Sequence, residues 1–119
     1  MLTENSVNAV NDIAVLRLSG RFDAHKQQSV STWASRQRQN GIHTLVMDLS
    51  NVNFIDSVAL TWALQETNYC RQQAGDLLIY NPTPTVRIIL QLTGLEGEFH
   101  LWSPDANTIT DLHTVTTIL

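Results

Sequence analysis

One hydroxyl stands out for its setting. Ser57 follows Asp56 where the apolar pair Phe54-Ile55 gives way to an amphipathic stretch. That order predicts a strand, a tight polar loop over Ser50-Asn51-Val52-Asn53, and a helix opened by Asp56-Ser57. A helix start carries unpaired N–H groups and a partial positive charge. A phosphate on the Ser57 hydroxyl would therefore meet waiting donors, and it would add roughly −1.5 to −2 units of charge at that atom. Asp56 beside it would make the new charge locally repulsive to acidic partners. The same residues also have plainer uses. Ser57 could simply cap the helix, Asp56 could bind backbone N–H groups, and Asp23 could stabilise the turn Gly20-Arg21-Phe22-Asp23.

Other chemistries find less support. Ser57, His25 and Asp23 supply the residue types of a nucleophilic triad, but no Gly-x-Ser-x-Gly elbow surrounds the serine. His25, His43, His100 and His113 show no metal-ligand spacing, and Cys70 has no second cysteine to pair with. No Gly-x-Gly-x-x-Gly or P-loop pattern cradles a phosphate. The expectation is a protein without enzymatic activity, metal or cofactor.

The elements that would hold Ser57 in place read as follows. Residues 12–19 form a strand with Ala14, Leu16 and Leu18 on a wholly apolar face. Ile13 and Val15 lie on a face that turns polar at Arg17. Residues 4–10 would pair with it as a short edge strand through a turn at Asn11-Asp12. A helix spans about Ala24 to Gln39, burying Val30, Trp33 and Ala34, and stops at Asn40-Gly41. A central strand covers His43 to Leu49. The helix from Ser57 runs to about Gln73, with Leu60, Ala63, Leu64, Thr67 and Cys70 on its core face. Val58, Trp62 and Tyr69 fall opposite, a solvent-facing stripe of the kind found at binding hot spots. A strand follows over Asp76–Tyr80, then a helix from Pro84 to about Leu92, then a short strand at Phe99–Leu101. A final helix starts at Ser103-Pro104 and carries Ile109, Leu112, Val115 and Ile118 at helical spacing. The order is β-β-α-β-α-β-α-β-α. It predicts one α/β domain over residues 1–119, with a central mixed sheet of about five strands and four helices.

Composition agrees with one globular domain: 119 residues, 43% hydrophobic and 15% charged. A net charge of −4 with only 7 Lys+Arg argues against nucleic-acid binding. No run approaches the roughly 18 apolar residues of a membrane span, the opening residues lack the features of a signal peptide, and the single cysteine suits a reducing compartment. A cytoplasmic location is expected, without direct membrane insertion.

Three motifs in order resemble the STAS domain of bacterial anti-sigma factor antagonists. The first is Asp48-Leu49, Val52, Phe54-Ile55, Asp56-Ser57 and Leu60, which follows that family's strand, loop and Asp-Ser helix start. The second is Leu18-Ser19-Gly20-Arg21-Phe22-Asp23, similar to its Gly-x-Leu-Asp turn. The third is Pro84-Thr85-Val86 through Gly94-Leu95, similar to its Pro-x-Val helix ending in Gly-Leu. The resemblance covers nearly the whole chain and implies a STAS-like fold. It implies a partner-switching phosphoprotein acting in transcription regulation and signalling. By position Ser57 is then the phosphoacceptor, with Asp23 and Asp56 bordering it, and the partners are an anti-sigma factor serine kinase and a serine phosphatase. Val58 and Ala59 stand where the family has a small residue and glycine; with Trp62 and Tyr69 they make up the expected partner-binding set. A homodimer is compatible with the same resemblance. The alternative it offers is a non-switching STAS subunit of a larger complex, such as a lipid-transport ATPase or a signalling scaffold.

Overall fold

The computed structural model describes residues 13–102 and 114–119. Strand β1 spans Ile13–Phe22 and is followed by helix α1 (Ala24–Gln39), β2 (Thr44–Ile55), α2 (Ser57–Gln72), β3 (Asp76–Tyr80) and α3 (Pro84–Leu92). A 3-10 turn at Glu96–Glu98 leads to β4 (His100–Trp102), and β5 covers Thr114–Ile118. The sheet order is β4-β3-β2-β1-β5, and every pairing among these strands is parallel. The α/β, STAS-like architecture read from the sequence is therefore the one observed, with three helices among the described residues. The hairpin expected from residues 4–10 and Asn11-Asp12 lies outside them.

The alternation along β1 divides the sheet into two unequal faces. Ala14, Leu16 and Leu18 are at most 1% exposed and share the main core with Leu45, Met47, Leu49, Leu77 and Ile79. All three helices bury residues in that same core, so they lie on one face of the sheet. The three crossovers these helices make, β1 to β2, β2 to β3 and β3 to β4, then step the same way along the sheet, as right-handed connections require. The other face holds a smaller cluster of Val15, Val46 and Leu78, flanked by Ile13, Tyr80 and Trp102. Arg17 ends its apolar stretch, and its Nε donates to Asp48 at 3.0 Å. Helix α1 buries Val30, Trp33 and Ala34, the short apolar stripe its sequence predicts, and the polar Gln37 that follows it.

Three expectations need correction. Residues 114–118 were expected in a final helix but form β5, which pairs with β1 from Ile13↔Thr114 to Arg17↔Ile118. Val115 and Ile118 do fit a helical period, but the run Thr-Val-Thr-Thr-Ile is β-branched throughout and prefers a strand. The start of that expected helix, residues 103–113, lies outside the described residues. Second, Gly20-Arg21-Phe22 continues β1 rather than turning, and Gly20 adopts φ +81 within the strand. Third, the loop expected over Ser50–Asn53 is part of β2. Between Arg17↔Asp48 and Phe22↔Ile55 the register shifts twice, and β2 advances seven residues against five on β1. Those extra residues are bulges, and their polar side chains gave the segment its loop-like composition. The bulges also carry the end of β2 level with the end of β1, so α1 and α2 start side by side.

Candidate phosphoacceptor site and docking face

Two helices begin where β1 and β2 end, and each is opened by an aspartate. Asp23 is the N-cap of α1, its Oδ1 accepting from the Lys26 N–H at 3.0 Å. That hydrogen bond, helped by the Arg21 guanidinium 3.6 Å from Oδ2, holds the Asp23 carboxyl below its usual range. Arg21 also lies over the Phe54 ring, 4.0 Å from its centroid, where the two strands end in register. Asp56 is the N-cap of α2, and its Oδ1 accepts from the Ala59 N–H at 2.9 Å. Its Oδ2 accepts from the Ala24 N–H at 2.9 Å, in the first turn of α1. One carboxylate thus binds the N-termini of both helices.

Ser57 is the first residue of α2 and is exposed. It is not the cap; Asp56 has that place, and the serine hydroxyl is left to solvent beside it. Next to it an open groove of about 320 Å³ runs between the two helices, lined by Gln27, Ser57, Val58, Thr61, Trp62 and Gln65. None of these side chains is ionisable. The groove wall combines two hydroxyls, two amides, one aliphatic group and an indole.

The structure divides the expected docking residues. Val58 is 45% exposed and Tyr69 43%, on the outward side of α2 as predicted. Trp62 is not outward: it is 8% exposed and meets the Phe22 ring edge-on, with centroids 6.2 Å apart. It belongs to the core and shows only an edge to the groove. Trp62 stands one turn beyond Val58, and Phe22 at the end of β1 covers it there, which a helical wheel of α2 alone does not reveal. Ala59 has no exposed surface, so its side chain cannot meet a partner.

Two features were missed by the sequence reading. Gln27 supplies the α1 wall of the groove, and nothing in its local sequence marks it. Glu66, 6% exposed, is bound by Arg38 Nη1 at 2.5 Å and ties the C-terminal end of α1 to the second half of α2. The same guanidinium lies 4.8 Å from the centre of the Tyr69 ring. Cys70 Sγ sits 3.8 Å from Glu66 Oε2, and burial together with that carboxylate pushes the thiol up to about 12. The signal available was the position of Glu66, one turn before Cys70 and one turn after Trp62, within the buried stripe.

Known proteins share the fold and much of the sequence pattern. The STAS domain family model matches residues 5–112. An anti-sigma F factor antagonist from Paenibacillus polymyxa is 28% identical over 105 residues, which cover 87% of this chain and 89% of that protein. Another from Lysinibacillus sphaericus is 28% identical over 85 residues, covering 71% and 73%. A Thermotoga maritima crystal structure shares the fold with a TM-score of 0.72 at 20% identity, over 85% of this chain and 84% of that one. The anti-sigma factor antagonist SpoIIAA in its unphosphorylated form superposes with a TM-score of 0.66 at 25% identity, over 76% and 79%. The phosphorylated form of SpoIIAA, a Bacillus cell fate determinant, gives 0.60 at 25% identity, over 76% and 82%. With a parallel α/β sheet, paired helix starts and a family match over most of its length, this chain belongs to the STAS domain family, and its named relatives are anti-sigma factor antagonists.

Proposed function

We propose that this chain is an anti-sigma factor antagonist that switches partners through phosphorylation of Ser57. The observation that carries the proposal is the exposed Ser57 hydroxyl at the start of α2, on the rim of a groove without an ionisable side chain. Unmodified, that face docks on an anti-sigma factor kinase through Val58 and the groove wall. Phosphorylated, the same face carries a dianion where there was no charge. Burying it against the former partner costs several kcal/mol unless the partner supplies a counter-charge. Each step of about 1.4 kcal/mol is tenfold in affinity, so the change is large enough to reverse binding. A serine phosphatase then resets the protein. The relative that exists in phosphorylated and unphosphorylated forms supports this reading. The absence of exposed surface at Ala59 also supports it, because only Val58 is left as a departure at the docking face.

The test uses the anti-sigma F factor that the Paenibacillus polymyxa relative antagonises. With ATP present, mass spectrometry is expected to find the phosphate on Ser57, and Ser57→Ala abolishes it. Titration calorimetry is expected to show Ser57→Ala binding that factor and Ser57→Asp binding at least tenfold more weakly. Equal affinity of the two variants would end the switching proposal.

A further inference from the structure

Capping α2 uses only one oxygen of the Asp56 carboxylate. The other reaches across to the Ala24 N–H of α1, at the same 2.9 Å. A cap alone does not call for a carboxylate, because asparagine caps helices about as well as aspartate. An asparagine side chain, however, has one carbonyl oxygen and an NH₂ group. With its oxygen on Ala59 it would turn a donor towards the Ala24 N–H. Only the carboxylate accepts at both ends, and it does so at the positive ends of two helices, where charge-assisted bonds are strongest.

The two helices are joined again further along, where Arg38 near the end of α1 binds Glu66 in the second half of α2. At the near end, Gln27 is the α1 residue that lines the groove, and it lies one turn from Ala24. We infer that Asp56 is a positioning residue, whose two-ended carboxylate locks the first turn of α1, and with it Gln27, to the turn that bears Ser57. The groove wall opposite Ser57 is then set by Asp56, and docking geometry depends on its charge. The importance of that geometry rests on the docking role proposed above; the lock itself does not.

The experiment uses the full ¹⁵N-labelled chain as wild type, Asp56→Asn and Asp56→Ala. Amide hydrogen exchange at Ala24 is expected to rise at least tenfold in Asp56→Asn, while exchange at Ala59 stays near wild type, because the cap is kept. In Asp56→Ala both amides lose protection. Binding to the Paenibacillus polymyxa anti-sigma F factor is expected to weaken about tenfold in Asp56→Asn, the scale of one charge-assisted hydrogen bond. Unchanged Ala24 exchange in Asp56→Asn overturns the lock, and wild-type affinity in that variant overturns its role in docking. Failure of the wild-type chain to bind counts against the partner-switching proposal, and the lock is then judged on the exchange rates.

Discussion

Replacing Trp62 with alanine separates a core role from a surface role more sharply than any other substitution on α2. The indole is 8% exposed, so folding removes nearly all of it from water. A buried aromatic side chain hides about 150–250 Å². At about 25 cal/mol per Å² that corresponds to about 4–6 kcal/mol as an upper bound. Measured truncations of buried Phe and Trp cost about 3–5 kcal/mol, and the lost edge-on contact with Phe22 falls within that range. The expected loss for Trp62→Ala is therefore about 3–5 kcal/mol, read by urea unfolding with far-UV circular dichroism. Tyr69→Ala is the control: its ring is 43% exposed, and the expected loss is about 1 kcal/mol. Because a small domain has only about 5–15 kcal/mol in hand, Trp62→Phe provides a milder version that keeps the ring contact. A loss below about 1 kcal/mol for Trp62→Ala, matching Tyr69→Ala, would refute the placement of this indole in the core.

Two further outcomes follow from the titrating groups. With its thiol pushed up to about 12 by burial and by Glu66, Cys70 is expected to react with an aromatic disulfide reagent at pH 8 only as fast as the chain unfolds. Rapid labelling of the native protein would contradict its burial. Asp23 is lowered in the folded state, so the folded chain binds fewer protons there than the unfolded one. Its contribution is intact above about pH 4 and disappears as the pH falls through the lower folded value. Asp23→Asn is expected to flatten that part of the acid-side stability profile; an unaltered profile in urea titrations below pH 5 would count against the Lys26 and Arg21 contacts.

The backbone of the site was legible because its signals are local. Asp23 before Ala24, and Phe54-Ile55 before Asp56-Ser57, mark the starts of α1 and α2, although the sequence reading ended β1 and β2 too early, at Ser19 and Leu49. Helix α1 was read with its observed boundaries, since Asn40-Gly41 stops it and Val30, Trp33 and Ala34 set its buried face. What failed were features decided by neighbours. The bulges of β2 look like a loop because Ser50, Asn51 and Asn53 are polar, and only the register with β1 shows them paired. Thr114–Ile118 offers both a helical spacing and a β-branched run, and pairing with β1 decides between them. Trp62 looks outward on an isolated helix, until Phe22 packs against that side. The Asp56 to Ala24 bond joins residues far apart in sequence, so no local pattern announces it.

Among the described residues, the strand that completes the sheet beside β1 is the last element in sequence, while β1 is the first. During synthesis β1 can meet β2 as soon as α1 has formed, but its pairing with β5 must wait until residues 114–118 emerge. For that interval the N–H and C=O groups that β5 will pair lack that partner, next to a fully apolar face, which favours unwanted strand addition. Closing so long a stretch of chain is also the slowest kind of contact to form. Handling of the nascent protein, and its tolerance of C-terminal truncation, should therefore be governed by β5, at the opposite end of the sequence from the strand it protects.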